Sequence, residues 1–135
     1  MTITTYNIKT EENGAYEITE SVREAIEKSN FKNGLCIVFI PHTTAGLSIT
    51  SFWEKEGLID IHEEINRIVP TRIDFKHQAD TPQDAAGHIK SVLIGASLTL
   101  IVENGKPFLG HSQGIFFNEF DGPRKRQFKV KCLSD

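Results

Sequence analysis

The spacing of apolar and polar positions divides the chain into short elements. Residues 3–9 are rich in Thr, Ile and Tyr and predict a strand, and residues 16–18 predict a second short one. Val22, Ala25 and Ile26 fall on one face of a helix expected over 20–30, capped by Thr19 or Ser21. The continuous apolar run 35–40 predicts a buried strand, and 47–52 another. Leu58, Ile61, Ile65 and Ile68 recur every three or four residues, which predicts a helix over 54–69 that Pro70 ends. A shorter helix is expected from Pro82, after a Thr81 or Asp80 cap, to residue 93, with Gly95 as its stop. Beyond it, 97–103, 106–109, 115–120 and 127–132 read as strands. In the last, Phe128, Val130 and Cys132 alternate with Gln127, Lys129 and Lys131.

Three Asn-Gly pairs, at 13–14, 33–34 and 104–105, mark tight turns because both residues tolerate positive φ. Strands dominate and helices fall between some of them. The expected fold is therefore α+β: one domain over 1–135, mainly antiparallel and sandwich-like, with about three helices. A length of 135 residues fits one core and is too short for a TIM barrel. No apolar stretch suits a leader or a membrane span, so a cytoplasmic protein with no membrane partner is expected. Cys36 and Cys132 belong to no CxxC pair and are expected as reduced thiols. Fifteen Lys and Arg against 18 Asp and Glu give a net charge of −3, which argues against a nucleic-acid partner.

The segment Gly110-His111-Ser112-Gln113-Gly114 matches the G-x-S-x-G of hydrolase nucleophile elbows. It is followed by a strand pattern rather than a helix, and no histidine comes after it, so it reads as a turn between strands. The densest chemical cluster is His77, Asp80, Asp84 and His88. Asp84 and His88 share a helical face, His77 can fold back over the first turn, and imidazoles with a carboxylate suit zinc or another divalent ion. Asp80 and Asp84 could equally cap the helix and offset its dipole. His42 leaves a core strand into a polar turn, where it either enters a cleft or bonds to backbone. His62 is expected on the shoulder of its helix. Lys90 and Arg124 could bind phosphate or stand as solvated charges. Arg124, Lys125 and Arg126 with Lys129 and Lys131 are expected on the solvent face of an exposed strand, where charge discourages edge pairing.

In order, Pro41-His42-Thr43-Thr44-Ala45-Gly46-Leu47, Asp84 with Gly87-His88-Ile89-Lys90, Leu98 to Val102, Gly114-Ile115 and Glu119-Phe120-Asp121-Gly122-Pro123-Arg124 run the length of the chain. With these stretches the sequence resembles the YjbQ family, secondary thiamine-phosphate synthase enzymes. The resemblance implies a homotrimer and a cleft near the histidine segments. It implies a divalent metal, zinc or magnesium, on His42, His77 and His88. His42, His88 and Asp84 would be catalytic, with Asp84 as ligand or orienter. Thr43, Thr44, Lys90 and Arg124 would contact the phosphates of a small substrate. The implied reaction joins a pyrimidine pyrophosphate to a thiazole phosphate. The same residues also suit metal-dependent hydrolysis of a small phosphorylated substrate, or a non-catalytic trimer that binds a small molecule or metal. Two departures lie near the expected cleft: His111-Ser112 where the family often has Thr-Trp, and Asp80-Thr81-Pro82-Gln83 where it often has Glu-Gly-Asn.

Overall fold

A computed structural model describes residues 2–135. The long alternating segments pair with one another. Strands β1 (Thr2–Thr10), β3 (Gly34–Phe39), β5 (Ser97–Glu103), β6 (Lys106–Pro107) and β8 (Arg124–Ser134) form an antiparallel sheet in the order β1-β8-β3-β5-β6. Strands β2 (Gly14–Glu17), β4 (Ala45–Ser51) and β7 (Gln113–Glu119) form a second antiparallel sheet, β2-β7-β4. Inward residues of both sheets meet in one core. Cys36, Val38, Phe128 and Val130 come from the larger sheet, and Leu47, Ile115 and Phe117 from the smaller. Helix α1 (Thr19–Ser29) buries Val22, Ala25 and Ile26 in the same core. With α2 (Lys55–Ile68) and α3 (Pro82–Ile94), this is a single α+β domain with three helices among the described residues.

Local chemistry explains most boundaries. Asn104 and Gly105 take φ of 54° and 77° and turn β5 into β6. Thr81 caps α3 by accepting from the Asp84 N–H at 3.1 Å, Pro82 opens the helix, and Gly95 closes it at φ 101°. The α1 cap departs from expectation: the residue before the helix is Ile18, with no side-chain bond. Thr19 instead accepts from the Ile115 N–H at 2.9 Å and donates to Glu17 at 2.8 Å, tying the helix to β7. The final strand is longer than expected and the strand at 106 stops at Pro107.

The periodic stripe of α2 does not enter the core: none of its residues is fully buried. Cys36 and Cys132 face each other across β3 and β8 as buried free thiols, and burial pushes the Cys36 thiol up to about 12, where it is inert. No helix among the described residues is long and apolar enough to cross a membrane.

Candidate metal centre and its surroundings

Helix α3 sets the site. Asp84 and His88, one turn apart, project together, and the segment before Thr81 brings His77 over the first turn. The Nε2 atoms of His77 and His88 each lie 3.2 Å from the same oxygen, Asp84 Oδ2. The two rings meet edge to face at 5.1 Å between centroids. Donor atoms of all three residues fall within 4.8 Å of one another. Gly87 lets the helix approach closely: a Cβ there would sit 3.2 Å from the Phe120 carbonyl oxygen and from Thr44 Cγ2.

The hydrogen-bond pattern orients these groups. His88 Nδ1 lies 3.1 Å from the Thr43 carbonyl, which can only accept, so Nδ1 carries the proton. In the neutral ring Nε2 then presents a lone pair to a carboxylate oxygen. Two electron-rich atoms meet there favourably only around a cation or a proton. Ligands of a tetrahedral zinc, each at roughly 2.0–2.1 Å, stand about 3.3 Å apart, close to the 3.2 Å that separates each Nε2 from Asp84 Oδ2. The donor set thus fits a divalent first-row ion and leaves at least one position open. A cavity of about 350 Å³ opens beside it, lined by Phe75, His77, Ala85, His88 and Ile89.

His42 is outside this set, which corrects the expectation of three convergent imidazoles. Its Nε2 accepts from the Gln127 N–H at 2.9 Å, and its ring packs edge-on against Phe117. The Pro41–Thr44 turn still serves the centre, but through the Thr43 carbonyl. Thr44 is corrected too. It is buried, and its hydroxyl accepts from Arg126 Nη2 at 2.8 Å, so it faces the interior and not a phosphate. Lys90 is also buried. Its ammonium donates to Asn66 Oδ1 on α2 at 2.6 Å, on the flank of α3 away from His88, and burial holds its pKa below the usual lysine range. Arg124 stays partly exposed, bonded to the Asp121 carboxylate at 2.8 Å and to its carbonyl at 2.9 Å. Thr43 is exposed.

Two groups behind the site carry more weight than their sequence context suggested. Arg126, expected on the solvent face, is buried against the fully buried Glu119. Its Nε donates to Glu119 Oε1 at 2.8 Å, and Nη2 bonds Oε2. Burial pushes the Glu119 carboxyl upward, but bonds from Arg126, Thr10 and the Asp121 N–H more than offset that and hold it below the usual range. Asp121 is buried beside Asp84. Burial raises its pKa, and bonds from Gln83 and Arg124 outweigh that and lower it.

His42 and His62 both titrate below the usual histidine range. Burial is the leading cause for each, with the Arg126 charge second at His42. Because their folded pKa values lie under the unfolded value of about 6.5, their neutral forms stabilise the fold fully above that pH. Stability is expected to fall as pH drops from about 6.5 through the folded values. Urea melts between pH 8 and pH 5 check this, with ring-proton NMR reading the two histidines directly.

A family profile described as "UPF0047 protein YjbQ-like" matches residues 4–135. The UPF0047 protein MJ1081 of Methanocaldococcus jannaschii is 42% identical over 131 residues, covering 96% of this chain and 93% of that protein. The UPF0047 protein YugU of Bacillus subtilis is 34% identical over 119 residues, with 87% of each covered. A YbjQ-like protein of unknown function from Sulfolobus solfataricus superposes with a TM-score of 0.93 at 29% identity, covering 99% of this chain and 97% of that one. An uncharacterized family protein from Clostridium acetobutylicum gives 0.89 at 38% identity, with 96% and 99% covered.

Proposed function

The chain belongs to the UPF0047 YjbQ-like family, and from that premise and the His77, Asp84 and His88 geometry we propose that it is a metal-dependent enzyme acting on a small phosphorylated substrate. The reaction is thiamine-phosphate synthase-like: a pyrimidine methylene loses pyrophosphate as its carbon–oxygen bond breaks, and the thiazole nitrogen forms the new carbon–nitrogen bond. The observation that supports this best is the meeting of two Nε2 atoms on one carboxylate oxygen beside an open cavity. A divalent ion held there supplies positive charge where the leaving group becomes negative. The chain's own part is to aim the imidazoles, through Asp84 and the Thr43 carbonyl, and to present Arg124 and the Thr43 hydroxyl to phosphate oxygens. Asp121 steadies the Arg124 guanidinium while leaving other donors to face outward. Phe75 and Ile89 offer the apolar wall that a heteroaromatic ring needs.

The open position also suits a second reading, hydrolysis of one phosphorylated substrate. Incubation with both substrates and Mg²⁺ or Zn²⁺ separates the two. Synthase action needs both and yields thiamine phosphate. Hydrolysis releases phosphate from one alone. Loss of product in His88→Ala is expected; equal traces from wild type and variant would overturn the site assignment.

A homotrimer is part of the same proposal. It is supported by apolar side chains left open on α2 and α3, with Ile68 63%, Val92 83% and Leu93 61% exposed in the single chain. Light scattering is expected to return three times the chain mass.

A further inference from the structure

The motif at 110–114 and the only tryptophan of the chain come together at the opposite end of the smaller sheet from the metal ligands. β4 spans seven residues between Thr44 and Phe52, so the two places are about 20 Å apart. Phe52 and Trp53 stack at 4.9 Å and 23°, and Trp53 leans on His111 at 5.6 Å. Both Phe52 and Trp53 are exposed. They are nonetheless pinned. Phe52 N–H donates to the Ser112 carbonyl at 3.1 Å, and Trp53 Nε1 donates to Ser112 Oγ at 2.9 Å. The 110–113 turn is closed by Gln113 N–H to the Gly110 carbonyl at 3.1 Å and Gly110 N–H to Gln113 Oε1 at 2.7 Å.

Phe52 also walls a cavity of about 390 Å³ whose other side is polar, with Glu17, Arg23 and Gln113. That volume accepts one mononuclear or binuclear ring. Glu17 uses one lone pair of Oε2 to accept from Thr19, which leaves Oε1 and the second lone pair of Oε2 as acceptors for the cavity. Gly114 leaves room for this carboxylate, since a Cβ there would lie 2.9 Å from Oε2. Gln113 has its carbonyl oxygen committed to Gly110, so its amide NH₂ is the end left to donate. One wall thus offers a π face, and the other offers an acidic acceptor beside amide and guanidinium donors.

We propose that this is a second ligand site, which takes a planar heteroaromatic ring with an amino–imine edge, as guanine carries. The ring stacks on Phe52, which Trp53 backs. Its N–H and amino group donate to Glu17, and its carbonyl accepts from Gln113 or Arg23.

The test uses the purified chain and its fluorescence excited at the red edge of the aromatic band, where Trp53 absorbs and Tyr6 and Tyr16 do not. Guanosine is expected to change the emission saturably, with calorimetry giving the same constant. Inosine, which lacks the amino group, should bind about tenfold more weakly, and Glu17→Gln and Phe52→Ala should each weaken guanosine by about tenfold or more. EDTA should leave guanosine binding unchanged, which keeps this result separate from the metal site. A short single-stranded oligoribonucleotide containing guanine distinguishes the source of the ring: a large gain over guanosine supports RNA, and no gain supports free nucleosides. The proposal is overturned if guanosine gives no saturable change in the millimolar range, if maltose binds as well, or if a folded Glu17→Gln variant binds guanosine like wild type.

Discussion

Arg126→Leu is expected to lower stability by about 3–5 kcal/mol, because it strands a carboxylate in the core. Glu119 is 0% exposed, and Arg126 supplies both of its strongest bonds. The remaining donors, Thr10 Oγ1 at 2.7 Å and the Asp121 N–H at 3.0 Å, do not neutralise it. The double variant Arg126→Leu with Glu119→Leu should recover much of the loss, since an apolar pair of suitable volume has no charge to desolvate. Urea melts check both. A single variant within about 1 kcal/mol of wild type would contradict the reading of this pair as a buried, mutually dependent unit. The same pair sets an acid dependence. The folded Glu119 pKa is depressed, so its stabilisation is present above the unfolded value of about 4.3 and is lost as pH falls through the folded value. That slope should be absent in the double variant.

The pair also reaches the candidate metal centre. Arg126 Nη2 holds Thr44 by its hydroxyl and, at 3.3 Å, by its carbonyl. Thr44 adjoins Thr43, whose carbonyl orients His88. A fold-level ion pair thereby positions the His88 imidazole.

The second large effect concerns that centre. His77→Ala, Asp84→Asn and His88→Ala are each expected to reduce zinc affinity by more than about 100-fold, beyond what removal of an orienting partner costs. His42→Ala is the informative contrast. Its ring bonds strand backbone and is not one of the convergent ligands, so affinity should stay within about tenfold of wild type. Competition against a chromophoric chelator measures all four. Should His42→Ala lose as much as His88→Ala, the three-residue centre would be incomplete.

Much of this was legible in the residues. Thr81, Pro82 and Gly95 bound α3 as local chemistry dictates, and i to i+4 spacing put Asp84 and His88 on one face. His77 joined them from outside the helix, where proximity in sequence sufficed. His42 is the exception. It lies far from the cluster along the chain, and sequence spacing says nothing about whether its ring turns toward α3 or toward β8. Arg126 departs from expectation for a different reason. The alternation that puts Phe128, Val130 and Cys132 inward also puts position 126 inward, and the charge is accommodated there because its partner, Glu119, comes from another strand. The period was the better guide than the charge. In α2 the apolar stripe is real but only half used: Leu58 and Ile65 are partly buried, while Ile61 and Ile68 stay exposed in the single chain.

Crystals grown with zinc, and anomalous scattering recorded across its absorption edge, test the central claim most directly. The account predicts one strong peak per chain, within about 2.0–2.2 Å of His77 Nε2, His88 Nε2 and Asp84 Oδ2. A map with no peak between those three atoms, or with its strongest peak elsewhere on the chain, would contradict it.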